Sequence, residues 1–326
     1  MAVVGVGAFG RNHARVYHQL QQAGEVRLVG VVDPDTVRAD AVAREFACKS
    51  FGSIEQMLTT HSEVQAASVA VPTVLHRKVA SALMEAGVDV LIEKPVAATL
   101  ADADALVRVA SEHSRVAQVG HLERFNPAVR ATLPLINQPM FFEVHRLSVF
   151  SPRALDVDVV LDLMIHDLDV VLTFVKSEVK EIRAVGLPIL SGKVDIANVR
   201  IEFQSGCVAN FTASRVSTER VRKLRFFQPG QYISIDYSRQ DVLVFSVGGS
   251  APDIGHPQPS VNPKIQVTKP EIVAEEPLLA EIKAFLEAVR TRGTAAVSLE
   301  DGRRALALGL EILAEVGRHA GRVGVS

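Results

Sequence analysis

Two rhythms of apolar and polar positions run through the first third of the chain. Continuous apolar runs at residues 2–4, 26–32, 66–71, 88–92 and 116–119 alternate with helically spaced stretches at 11–22, 37–46, 54–60, 76–86 and 100–113. A strand apolar along its whole length is buried on both faces, and the intervening helices cover those faces. The pattern predicts a parallel α/β sheet over residues 1–120, with ligand chemistry beyond the carboxyl ends of its strands.

From residue 140 the rhythm changes. Residues 140–150 alternate with period two, and further short strands are predicted at 179–186, 197–203, 207–214, 223–227, 231–236 and 242–247. Turn residues such as Gln204-Ser205-Gly206 and Pro229-Gly230 fall between them, which suggests an antiparallel sheet. One helix, 157–175, interrupts the strands. Residues 248–270, rich in Pro, Gly and Ser, read as an extended loop. Helices follow at 277–290, with Leu278, Ile282, Phe285 and Val289 on one face, and at 299–319. The predicted division is 1–120 and 121–326.

The first apolar run passes directly into Gly5-Val6-Gly7-Ala8-Phe9-Gly10, a G-x-G-x-x-G between strand and helix. Gly5 permits the sharp turn, Gly7 lets the backbone approach a pyrophosphate, and Gly10 lets the helix pack close to the sheet. Ala8 and Phe9 lie at the head of that helix, whose free N–H groups and positive dipole end would face the phosphates. The second run ends at Asp33, 23 positions beyond Gly10, where an acid is expected to bind the adenosine ribose hydroxyls. A carboxylate there would repel the extra phosphate of NADP, and neither Pro34 nor Asp35 supplies a cation, so NAD is the expected cofactor.

Composition narrows the classes further. With 35 basic and 37 acidic residues the net charge is −2, which gives no electrostatic case for nucleic acid or an anionic membrane as partner. No apolar run reaches the roughly 18 residues of a membrane span. No secretory leader precedes the first strand, which begins so near Met1 that a few native residues are expected ahead of it. Cys48 and Cys207 are far apart and in no metal-binding or disulfide pattern, and a reducing cytoplasm is the expected location.

The strand ends carry the remaining candidates. Pro72-Thr73-Val74-Leu75-His76 follows the third run, and Glu93-Lys94-Pro95 follows the fourth. A lysine between an acid and a rigid proline is either a catalytic cation or a solvated surface group. On a helix, Asp162 and His166 share a face, with Asp169 three positions beyond His166. Without a second histidine or a thiolate, no metal site is expected there.

The order of these motifs, with Arg124-Phe125-Asn126-Pro127 after the fifth run, resembles the glucose-fructose oxidoreductase/inositol dehydrogenase family over essentially the whole chain. The resemblance implies a Rossmann dinucleotide-binding domain followed by an α+β domain with a large, open, mostly antiparallel sheet. It implies NAD contacts from Gly5, Gly7, Ala8, Phe9, Gly10, Asp33, Val71, Pro72, Thr73, His76, Glu93 and Lys94. It places a D-x-x-x-H segment at Asp162–His166 beside the substrate, although Asp158-Val159-Val160-Leu161 stands where many relatives have a glycine pair. His166 is then the expected base, Asp162 its orienter or a ligand for sugar hydroxyls, and Lys94 the donor to the reacting oxygen.

His121–Pro127, Glu143–Arg146 and Asp162–Asp167 are similar to the branch that oxidises the 3-hydroxyl of UDP-N-acetylglucosamine or its uronic acid. In that reading Lys94, Arg124, Asn126, Arg146, Arg153, Asp162 and His166 meet the substrate, with Arg124, Arg146 and Arg153 available to the diphosphate. Inositol or free-aldose oxidation, and a non-catalytic NAD-binding sensor or scaffold, are the open alternatives. An open sheet face is expected to pack against another copy, giving a homodimer or homotetramer.

Overall fold

The computed structural model describes residues 1–150, 157–248 and 264–323. Two compact units emerge, Met1–Leu122 with Glu276–Leu306, and Glu123–Glu275 with Ala307–Ser326. The sequence pattern cuts the chain once, between 120 and 121. The structure instead groups Glu276–Leu306 with the first unit, because Leu278, Ile282 and Phe285 join a core containing Val16, Tyr17 and Leu20.

In the first unit β1 (Ala2–Val4), α1 (Ala8–Gln22), β2 (Gly30–Val32), α2 (Thr36–Glu45), β3 (Lys49–Phe51) and α3 (Ile54–Thr60) are followed by β4 (Ala66–Val69), α4 (His76–Glu85), β5 (Asp89–Glu93), α5 (Leu100–Glu112) and β6 (Ala117–Gly120). The six strands form a parallel sheet in the order β3-β2-β1-β4-β5-β6. Strand order reverses direction between β1 and β4, which opens a crevice at their carboxyl ends. The side chains of Asp35, Ser53 and Thr99 cap α2, α3 and α5 by accepting from the N–H groups of Arg38, Gln56 and Asp102. Two details do not follow from the apolar pattern. β2 occupies only the end of the run at 26–32, and β3 is a short strand with polar residues at the sheet edge.

The second unit contains α6 (Pro127–Thr132), β7 (Phe141–Val149) and α7 (Ile165–Val175), the last preceded by a π-helical turn at Val160–Met164. β8 (Val179–Leu187), β9 (Ile196–Phe203), β10 (Val208–Ser217), β11 (Val221–Gln228), β12 (Gln231–Asp236), β13 (Asp241–Gly248) and β14 (Lys264–Thr268) complete the elements of a sheet ordered β14-β13-β12-β11-β7-β10-β9-β8. Its neighbours pair antiparallel except β7 and β10, which are parallel. β14 lies inside the stretch read from sequence as loop. α8 (Pro277–Thr291) belongs to the first unit; α9 (Leu299–Val323) begins in the first unit and continues in the second.

Period-two alternation puts Phe142, Val144, Ile201, Phe211, Leu224, Phe226 and Ile233 in one core with Leu168 and Val171 of α7 and Ile312 of α9. Phe142 and Phe226 stack there at 5.2 Å. The other face of the sheet carries an aromatic row, Phe141, Phe227, Tyr232 and Phe245, with successive ring centroids 5.8, 4.9 and 5.2 Å apart. Among the described residues no helix is long and apolar enough to cross a membrane.

Candidate active site

Backbone geometry shapes the turn after β1. Gly5 adopts φ +84°, and a Cβ there would lie 2.7 Å from the carbonyl oxygen of Ala70. A Cβ on Gly10 would come within 1.8 Å of the Gly5 carbonyl oxygen, so only glycine lets α1 start this close to the strand. At Gly7 nothing would lie within 4 Å of such an atom, and that open side is where a pyrophosphate can approach. Gly7 caps α1 without a side-chain bond, and no acid stands in the first turn. The N–H groups of Ala8, Phe9 and Gly10 therefore open the helix with no intrahelical acceptor, in a positive end suited to phosphate.

Asp33, at the tip of β2, is 4% exposed. Its Oδ2 accepts from the Val6 N–H and its Oδ1 from the Asp35 N–H, each at 2.9 Å, which fixes the carboxylate beside the glycine turn with acceptor capacity left over. Arg38, one turn into α2, lies 3.5 Å from Asp33 and donates to Asp35 at 2.9 Å. Sequence reading overlooked this cation; Asp35 already pairs with it.

The next two strand ends are tied together by His76. Its Nδ1 lies 2.9 Å from the Pro95 carbonyl oxygen and its Nε2 2.9 Å from that of Val71, with the ring 1% exposed. Burial pulls the imidazole pKa below its ordinary value, while the two carbonyls favour the charged form and only partly offset it. His76 thus joins the Val71-Pro72-Thr73 loop to the Lys94-Pro95 tip, whose peptide bond is cis.

Beneath half-buried Lys94 runs a chain of hydrogen bonds that no local pattern reveals. Tyr17 Oη lies 2.8 Å from Ser68 Oγ, Ser68 Oγ 2.9 Å from His13 Nδ1, and His13 Nε2 2.8 Å from Glu93 Oε1. Burial alone would push the Glu93 carboxyl up; the His13 hydrogen bond, with His13, Lys94 and His76 nearby, reverses the shift and holds it low. Glu281 of α8 is fully buried, and its carboxylate oxygens make no hydrogen bond among the described residues. Burial, with the repulsion of Glu93 added, pushes its pKa well above the usual carboxylate range.

In the second unit Asp162 sits in the π-helical turn and His166 in the first turn of α7, both half-buried. The four-residue spacing expected to align them assumes a regular α-helix, and the wider i→i+5 turn alters it. Asp169 does not join them. It is 1% exposed and accepts from Arg124 Nε at 2.7 Å and from a second guanidinium nitrogen at 2.8 Å. Asp167 likewise accepts a fork from Arg146 at 2.6 and 2.9 Å, and Arg146 donates to Glu123 at 3.0 Å while lying over the Tyr237 ring.

These contacts change the expected roles of three residues. Arg146 is 3% exposed with its fork already filled, so here it joins the sheet to α7 rather than reaching a ligand. Arg124 is committed to Asp169 through the same fork geometry. Asn126, 2% exposed, caps α6 through Ala128 N–H and donates to Glu123 and to the Tyr237 carbonyl. Arg153 lies outside the described residues. Both cysteines are unbridged, and burial pushes Cys48 to about 11 and Cys207 to about 12, leaving protonated thiols rather than nucleophiles.

Residues 1–121 match the family model described as oxidoreductase family, NAD-binding Rossmann fold, and residues 140–229 match that of the GFO/IDH/MocA C-terminal domain. A UDP-N-acetylglucosamine 3-dehydrogenase of Acidithiobacillus ferrooxidans is 36% identical over 312 residues, 95% of each chain. A scyllo-inositol 2-dehydrogenase (NAD(+)) of Bacillus subtilis is 27% identical over 78% of each. Among solved structures, the A. ferrooxidans UDP-N-acetylglucosamine 3-dehydrogenase superposes with a TM-score of 0.87 at 35% identity, covering 97% of this chain and 96% of its own. A levoglucosan dehydrogenase in complex with NADH shares the fold with a TM-score of 0.83 at 17% identity, over 97% and 96%.

Proposed function

The chain belongs to the GFO/IDH/MocA family of NAD-binding oxidoreductases, and from that premise we propose that it oxidises the 3-hydroxyl of a UDP-N-acetylhexosamine to a ketone. The observation carrying the substrate is the A. ferrooxidans relative, alike over 95% of both chains rather than over the nucleotide-binding part alone. NAD is the cofactor, and the side chain-free turn at Gly7 with the ribose acceptor Asp33 fits it.

When bound, the nicotinamide accepts the hydride. The protein manages the proton and the charge on oxygen. His166 takes the hydroxyl proton, since an imidazole with an ordinary pKa near 6.5 accepts and returns protons close to neutral pH. Asp162 orients it or holds a sugar hydroxyl. Lys94 donates to the reacting oxygen and stabilises its developing charge, from a strand tip braced by the Glu93–His13–Ser68–Tyr17 chain. In solution the protein is a homo-oligomer that buries the aromatic outer face of its large sheet against another copy; Phe227, 39% exposed, supports this.

The test is kinetic. NADH formation is measured with UDP-N-acetylglucosamine, its uronic acid, myo-inositol, scyllo-inositol and free aldoses. The UDP-sugars are expected to be preferred, and turnover on polyols alone would refute the substrate. Lys94→Ala and His166→Asn are each expected to lose about 100-fold or more in kcat with NAD still bound. Near-normal turnover in both would refute their roles.

A further inference from the structure

Two arginines face each other across neighbouring strands of the second unit. Arg222 of β11 pairs in register with Arg146 of β7, so both point to the α7 side of the sheet. Like charges directly opposite each other repel. Arg146 is compensated by Asp167 and Glu123, as described above. Arg222 is not: it is half-buried, its Nε is shielded from solvent, and its side chain makes no hydrogen bond or ion pair among the described residues. Exposed Arg220 adds to the excess, and burial and the neighbouring arginines outweigh the pull of Glu123 and Asp167 on Arg222. Burial and Arg146 together pull the Arg222 pKa down, the mark of a cation short of anionic partners.

An N–H shielded from water without an acceptor, as at the Arg222 Nε, costs stability, and a fold tolerates that where a ligand later supplies the acceptor. The location indicates which ligand. Asp167, held by the arginine opposite Arg222, directly follows His166, so an anion on Arg222 would sit beside the first turn of α7. We propose that Arg222 binds the substrate's anionic group, a diphosphate, through the guanidinium fork that Arg124 and Arg146 no longer have available. This rests on the nucleotide-sugar reading. A hexuronic carboxylate presents the same acceptor chemistry, and the test separates the two.

The experiment titrates the NAD-loaded full-length protein with UDP, inorganic pyrophosphate and glucuronate by calorimetry, in wild type, Arg222→Met and Arg222→Lys. UDP and pyrophosphate are expected to bind wild type and to weaken about tenfold to a hundredfold in Arg222→Met, with Arg222→Lys between. KM for UDP-N-acetylglucosamine should rise by the same factor with kcat nearly unchanged. The unfolding temperature of Arg222→Met should stay level or rise, whereas loss of an arginine held for structure would lower it. Equal UDP affinity in wild type and Arg222→Met would overturn the inference while leaving the substrate reading intact. Glucuronate binding that depends on Arg222 while UDP binding does not would overturn the diphosphate assignment. A wild type that neither binds UDP nor oxidises UDP-sugars would overturn the nucleotide-sugar reading itself, and the inference with it.

Discussion

Replacing Arg146 with methionine tests the buried ion network most directly. The substitution keeps length and apolar stem but leaves Asp167, 1% exposed, and Glu123, 7% exposed, without their guanidinium. Removing one partner of a buried pair costs about 3–5 kcal/mol, because an uncompensated charge remains in a poorly solvated site. At about 2–4 °C per kcal/mol for a unit of this size, the unfolding temperature should fall by roughly 6–20 °C. Breaking an exposed pair such as Arg183–Glu181 should leave the unfolding temperature nearly unchanged, because solvent screens it. The loss carries a pH signature. Burial already pushes the Asp167 carboxyl above its ordinary value against the pull of Arg146, and without Arg146 it rises further. An acid with a raised folded-state pKa contributes fully below its unfolded pKa, about 3.9, and loses that contribution as pH rises toward the folded value. The deficit of Arg146→Met should therefore be small near pH 4 and grow toward pH 8. Adding Asp167→Asn should recover about 1–3 kcal/mol at pH 8. Calorimetric unfolding of both variants at pH 5 and pH 8 measures this. A deficit independent of pH, with Asp167→Asn adding a second loss, would refute the reasoning.

Glu281→Gln should act in the stabilising direction. Its raised folded-state pKa costs up to about 1.4 kcal/mol for each pH unit between the unfolded value and the folded one. The variant should match wild type near pH 4.5 and unfold at a higher temperature at pH 8. Gly10→Ala and Gly7→Ala separate packing from cofactor contact. Both should weaken NAD binding by about one to two orders of magnitude, but only Gly10→Ala, whose Cβ would lie 1.8 Å from a carbonyl oxygen, should also lower the unfolding temperature. Phe227→Glu should reduce the sedimentation mass toward that of the monomer, and an unchanged mass would remove the aromatic face as the contact.

What reads directly from sequence is whatever depends on neighbours along the chain. The glycine turn is legible because a tight strand-to-helix turn constrains residues within six positions, and Asp33 because it closes the next strand. The alternation of Phe142, Val144 and Arg146 shows which side of β7 faces inward, though not that two buried acids, Asp167 and Glu123, wait there for the arginine. β3 and β14 escape notice for a related reason. Lys49-Ser50-Phe51 is too short and polar to carry a period, and Lys264–Thr268 follows a Pro- and Gly-rich stretch, so both become strands only because a neighbour supplies the hydrogen-bond ladder.

The sequence alone determined the two-part α/β architecture, the NAD fingerprint and the family, because burial period and turn chemistry are short-range. The tertiary structure alone decided how the charges pair. His13 meets Glu93 across 80 residues, Arg124 meets Asp169 across 45, and the Arg222 Nε finds no acceptor among the described residues. Coulomb energy in a buried site depends on separation in space and on lost water, and neither is written in spacing along the chain.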